Sequence, residues 1–123
     1  MSRKIDGDKV RLKRAYDQAS PRDGTRILVA RLWPRGITKD DAEIDYWAKE
    51  LSPSTELRKW FGHDPARWQG FRRRHGSELD ARPEELARLR NLTKMGPITL
   101  VFAARDEAHN AAVVLREVLL SGE

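Results

Sequence analysis

Two short apolar runs constrain this chain more than any other feature. They are Ile27-Leu28-Val29-Ala30 and Ile98-Thr99-Leu100-Val101-Phe102-Ala103-Ala104. Neither alternates polar with apolar residues, so each reads as a strand buried on both faces, as in a parallel sheet. Each ends abruptly in a polar, arginine-bearing segment. The first runs into Arg31-Leu32-Trp33-Pro34-Arg35-Gly36, the second into Arg105-Asp106-Glu107-Ala108-His109-Asn110. A long helical pattern separates the two runs. Parallel strands need such a crossover, and it would set their carboxyl ends at one edge of the sheet. In α/β sheets that edge is where ligands bind.

The rest of the chain fits the same plan. Residues 9–15 alternate, with Lys9, Arg11 and Lys13 on one face, which predicts a strand at a sheet edge. Ser20-Pro21-Arg22-Asp23-Gly24 is a turn by composition, and the second strand should span 26–32. Thr38 and Asp41 have capping-box spacing. Ile44, Trp47, Ala48 and Leu51 share one helical face, although an extended segment suits them as well. Ser52-Pro53 reads as a helix start, with Ser52 as N-cap and the helix running to Phe61 and Gly62. Asp64-Pro65 repeats the signal, and Trp68, Phe71, His75 and Leu79 then recur at helical steps. Pro83 opens a helix carrying Leu86, Leu89 and Leu92. After a strand at 98–104, Asp106 can cap a last helix with Ala111, Val114, Leu115, Val118 and Leu119 on its apolar stripe. The expectation is a single domain over 1–123, of α/β class. Its small sheet would be at least partly parallel and flanked by helices.

Composition narrows the function classes. Hydrophobic residues make up 39% and charged residues 35%, and the apolar positions are periodic, which argues against disorder. The absence of cysteine excludes disulfides, thiolate catalysis and cysteine zinc sites. Residues 1–8 hold no apolar h-region, and no apolar run approaches the ~20 residues that span a bilayer, so a cytoplasmic protein with no membrane partner is the expectation. The net charge of +5, carried mainly by arginine, fits a phosphate or nucleic-acid partner, but a solvated basic surface is the commoner meaning of such a charge.

The candidate ligand-binding residues are Arg31, Trp33, Arg35, Arg105, His109 and Asn110. Guanidinium forks match phosphate and carboxylate oxygens, and a helix N-terminus adds amides and a positive dipole end. His109, placed in the first helical turn, could donate to an anion or carry a proton, and it is the one catalytic candidate. The structural alternative is that these arginines pair with Asp40, Asp41, Asp45, Asp106 or Glu107 and hold loops. Trp33 suits a stacking surface or a packing plug, the plug being the commoner role. His63 reads as a helix-end residue and His75 as a packed one. No metal is predicted, because the histidines lack zinc-site spacing, and no cofactor motif is present. Arg72-Arg73-Arg74, with Arg67, forms a basic patch that could touch phosphate backbones or simply face solvent.

RLWPRGITKDD at 31–41, SPSTELRKWFGHDP at 52–65 and GPITLVFAARDEAHNAAVVL at 96–115 resemble the YeaO-like proteins, domain of unknown function 488, over nearly the whole chain. The resemblance implies a compact bacterial or archaeal cytosolic α/β protein and brings no established activity. The chain departs from the family pattern twice. Ala30 stands where relatives carry an acidic residue, and Ala111 where they carry a histidine. Two readings of function follow. One is a small-molecule site for a phosphate- or carboxylate-bearing ligand at the strand ends. The other is a binding module that contacts nucleic acid or a protein through a basic surface. A cavity gathering Arg31, Arg35, Arg105 and His109 would favour the first. A flat stripe joining Lys9, Arg11, Lys13 and Arg72–Arg74 would favour the second.

Overall fold

The two apolar runs become the two central strands of a four-stranded sheet. The computed structural model describes residues 5–121, so residues 1–4 of the N-terminal stretch read above lie outside it. The strands are β1 (Val10–Arg14), β2 (Thr25–Leu28), β3 (Tyr46–Trp47) and β4 (Ile98–Phe102), in the order β1-β4-β2-β3. All pairings are parallel. β4 runs beside β1 from Val10–Ile98 to Arg14–Phe102, and beside β2 from Thr25–Ile98 to Leu28–Val101. Double-sided apolarity thus predicted the central pair correctly, with Ile27, Leu28, Ile98, Leu100 and Val101 fully buried. The alternating segment is an edge strand, as expected.

The two sheet faces are covered differently. Side chains alternate across a strand, so Ile27 and Leu100 face the helices. There they join α2 (Thr55–Phe61), α3 (Trp68–Asp80), α4 (Pro83–Thr93) and α5 (Ala111–Leu120) through Leu57, Phe61, Phe71, Leu79, Leu89 and Leu115. Leu28 and Val101 face the other way, against Trp33, Ile37 and Ile44 from the segment after β2 and Trp47 of β3. One face therefore carries helices and the other mainly a tryptophan-bearing loop. The segment after the short α1 (Lys39–Ala42) takes the extended alternative, giving β3 at the second edge.

An ionic cluster ties down that thinner face. Arg26, on β2, is buried and donates to Asp23 at 2.6 Å and to the Ala42 carbonyl at 2.9 Å. Lys13 reaches the same carboxylate at 3.0 Å. Burial raises the Asp23 pKa, but hydrogen bonds from Lys13, the Ser20 amide and Arg26 outweigh it and hold the group below its ordinary value. Gly24 makes the turn into β2 at φ 65°, where a Cβ would stand 2.0 Å from the Pro97 carbonyl oxygen.

Two expected caps move. Ser54, not Ser52, caps α2, its hydroxyl accepting the Leu57 amide at 3.1 Å. The carbonyl of Pro53 accepts from Arg31, so this proline belongs to the lead-in and not to the first helical turn. Asn110, not Asp106, caps α5, taking the Val113 amide at 3.1 Å. The Gly62 stop, the Asp64-Pro65 start and the Pro83 start stand as expected.

Candidate functional site at the carboxyl ends of the central strands

Parallel pairing of β2 and β4 brings their polar exits side by side, and a cavity of about 650 Å³ opens between them. Ala30 to Arg35 line it from the β2 exit, Phe102 to Ala104 from the β4 exit, and His109 to Ala112 from the start of α5. Arg58, Lys59 and Phe61 of α2 and His63 beyond it close another side, and Tyr16 reaches it from the end of β1. Of the expected site residues, Arg31, Trp33, Arg35, His109 and Asn110 all lie in this wall. Arg105 does not: it is exposed on the loop before α5.

Four permanently charged side chains, Arg31, Arg35, Arg58 and Lys59, line the cavity with His63 and His109, and no Asp or Glu lines it. Among the described residues, Arg35, Arg58 and Lys59 have no carboxylate partner. Arg31 is anchored through the Pro53 carbonyl at 3.3 Å. The Tyr16 hydroxyl donates to the Arg35 carbonyl at 3.1 Å and fixes that stretch of backbone at the mouth. The structural alternative, arginines neutralised by Asp40, Asp41, Asp45, Asp106 or Glu107, does not describe these side chains. The four cations are exposed at the mouth, so their charge faces solvent and is open to a ligand.

His109 precedes the α5 cap instead of lying in the first helical turn. Its Nδ1 is 2.8 Å from an Asp106 oxygen, and the other Asp106 oxygen accepts the amides of Ala108 and His109. The hydrogen bond from His109, then that from the Ala108 amide, lowers the Asp106 pKa. A carboxylate at Nδ1 holds a proton on that nitrogen and orients the ring. The ring also stands edge-on to Trp68 at 5.0 Å. Asn110 is buried and committed at both ends of its amide, since Nδ2 donates to the Asp106 carbonyl at 2.9 Å while Oδ1 caps α5. The amides of Ala111 and Ala112, beyond reach of any intrahelical carbonyl, belong to the same wall. Trp33 is the packing plug: Nε1 donates to the Ile37 carbonyl at 2.7 Å, and the ring meets Trp47 in a T-shape at 5.6 Å.

Arg58, Lys59, His63 and Tyr16 were missed from the sequence. Leu57 and Phe61 mark the inward face of α2 and so place Arg58 and Lys59 beside it. Only the crossover geometry shows that this helix overhangs the sheet end.

A second cavity, of about 530 Å³, lies on the other side of Arg31. It mixes signs, with Lys49 and Arg82 against Glu50 and Glu78. Glu50 pairs with Arg82 at 3.4 Å, and Glu78 accepts the Ser54 amide at 2.9 Å. On the basic surface only some of the cations are paired; Lys9, Arg11, Arg73 and Arg74 have no carboxylate partner among the described residues. Lys13 pairs with Asp23, Arg72 grips Glu117 at 2.7 Å, and Arg74 lies over the Trp60 ring at 4.3 Å.

Fold and cavity together define a small parallel α/β domain with a cation-lined pocket at the carboxyl ends of its central strands. The chain belongs to the YeaO-like DUF488 family, residues 9–122 matching the model described as "Inactive DUF488-N3 subclade". It is 45% identical over 112 residues to "Uncharacterized protein YeaO" of Escherichia coli (strain K12), covering 91% of this chain and 97% of that protein. It is 43% identical over 111 residues to "Uncharacterized protein Rv3073c" of Mycobacterium tuberculosis (strain ATCC 25618 / H37Rv), covering 90% and 93%. No solved structure matches the chain. Among the described residues no helix is long and apolar enough to cross a membrane.

Proposed function

We propose that this protein binds a small molecule carrying a phosphate or carboxylate group in the sheet-end cavity, and that it binds without catalysing a reaction. The observation that carries the reading is the wall itself: four cationic side chains, two histidines and no lining carboxylate around one pocket. Arg35, Arg58 and Lys59 supply unpaired donors. Arg31 is held in place by Pro53, and His109 by Asp106.

The absence of turnover rests on Ala30 and Ala111. Both line the cavity, at the positions where the family pattern has an acidic residue and a histidine. Neither methyl can move a proton, and a positioned acid or base typically contributes 10²–10⁴-fold to a rate. The word "Inactive" in the family description supports the same reading. Binding survives those losses, because the arginines and the helix terminus are intact.

The test is thermal denaturation at matched ionic strength with inorganic phosphate, sulfate and sugar phosphates. A ligand at 100 times its Kd stabilises by about 2.7 kcal/mol, several degrees in Tm. Arg35→Ala and Arg58→Ala should lose that shift while keeping the melting point of the free protein. Arg105→Ala, outside the wall, should keep it. Equal shifts in all four proteins would refute a site at this cavity.

A further inference from the structure

The cavity presents more apolar surface than a bare inorganic anion would cover. Its floor is aromatic: Phe61, Phe71 and Phe102 line it from beneath. Phe61 and Phe71 are stacked at 4.3 Å. Its rim is apolar and exposed. Leu32 is 73% exposed and Tyr16 49%, and both line the cavity. A lone exposed leucine is ordinary. Two large apolar side chains gathered at the mouth of a cation-lined pocket are what an apolar ligand body would cover. Tyr16 is also held in position, by its hydroxyl bond to the Arg35 carbonyl and by the Arg14 guanidinium 5.1 Å from its ring. The volume of about 650 Å³ lies in the range that encloses organic ligands.

Charge and apolarity are divided within the site. Arg35, Arg58 and Lys59 form the cationic part, and Leu32, Tyr16 and the phenylalanine floor form the apolar part. We infer that the occupant is an amphiphilic organic anion, with one phosphate or carboxylate head on a flat aromatic body. This rests on the anion-binding reading above and names the ligand class for the same cavity. Head and body would be held by different residues, so their contributions separate in experiment.

Calorimetric titration of the full chain tests this with four probes: inorganic phosphate, 1-naphthyl phosphate, acetate and 1-naphthoate. The naphthyl member of each pair should bind at least tenfold tighter than its bare counterpart. That gain equals 1.4 kcal/mol and needs the burial of only about 55 Å² of apolar surface. Comparing the two naphthyl ligands identifies the preferred head group. Leu32→Ser, at an exposed position that should not disturb folding, should reduce the naphthyl gain and leave phosphate affinity unchanged. Arg35→Ala should weaken bare and naphthyl ligands alike. Equal affinity for phosphate and 1-naphthyl phosphate, or a naphthyl gain untouched by Leu32→Ser, would overturn the inference while the anion site stands. No binding of any of the four would overturn both readings.

Discussion

His75 is fully buried in α3, and neither ring nitrogen has a hydrogen-bond partner. Glu78 is 3.9 Å from Nδ1, and the ring stacks on Phe71 at 5.5 Å. Burial pushes its pKa down from 6.5 to about 4, and Glu78 offsets only part of that. The folded value lies below the unfolded one, so the unfolded chain takes up the proton first. Stability is therefore full above pH 6.5 and falls as the pH drops toward 4. The loss by pH 4 should be about 3 kcal/mol from this group alone. His75→Phe keeps a ring against Phe71 and removes the titration. Its melting temperature should fall less than that of the wild type between pH 7 and pH 4, by chemical or thermal denaturation. Parallel pH profiles for the two proteins would show that His75 contributes nothing to acid sensitivity. The residue was legible as a packed histidine because it shares a stripe with Phe71 and Leu79. Its unpaired nitrogens were not legible, since hydrogen-bond partners come from elements distant in sequence. The same reason separates Arg31 and Arg35, which follow directly from the end of a buried strand, from Arg58 and Lys59, which only the fold brings to the pocket.

At the scale of elements, the helices were readable and their caps less so. Pro53 has a serine on each side, and the preference for proline in the first helical turn selects Ser52. The structure selects Ser54, because the Pro53 carbonyl is bound by Arg31 and the Ser54 amide by Glu78. Ser54→Ala should therefore cost about 1 kcal/mol, a loss of a few degrees in Tm. Ser52→Ala, which removes only a bond to the Lys49 carbonyl, should cost less than about 0.5 kcal/mol. The reverse order in melting experiments would return the cap to Ser52. Asp106 and Asn110 pose the same choice four residues apart. Asp106 is occupied by the Ala108 and His109 amides and the His109 ring, which leaves α5 to Asn110. That displacement moves His109 out of the helix and beside the cavity. β3 was legible only as the extended alternative for the segment around Trp47, because two residues are too few to show a period.

For the whole molecule, the order β1-β4-β2-β3 makes the site. Placing β4 between β1 and β2 sets the exits of both apolar runs together and lets α2 overhang them. The parallel central pair was legible because apolar runs without alternation require cover on both faces. The unequal cover was not, since nothing in the loop after β2 announces that Trp33 and Trp47 replace helices on one face. The proposed anion site depends on a charge asymmetry that Ala30 preserves. Ala30 lines the pocket beside Arg31, its carbonyl is held by the Trp47 indole at 2.7 Å, and its side chain also packs against the Leu28 and Val101 cluster. Ala30→Asp introduces the acidic group of the family pattern into a site that holds none. The carboxylate would pair with the nearby guanidinium groups and repel an incoming anion. Opposite unit charges about 4 Å apart near a protein surface attract by roughly 4 kcal/mol before desolvation, so the competition is substantial. Anion affinity should fall at least tenfold, and added salt should narrow the gap by screening. Ala30→Asn, similar in size and uncharged, should bind close to wild type. Calorimetry with inorganic phosphate distinguishes these outcomes. Unchanged affinity in Ala30→Asp would mean that the anion binds elsewhere on the molecule.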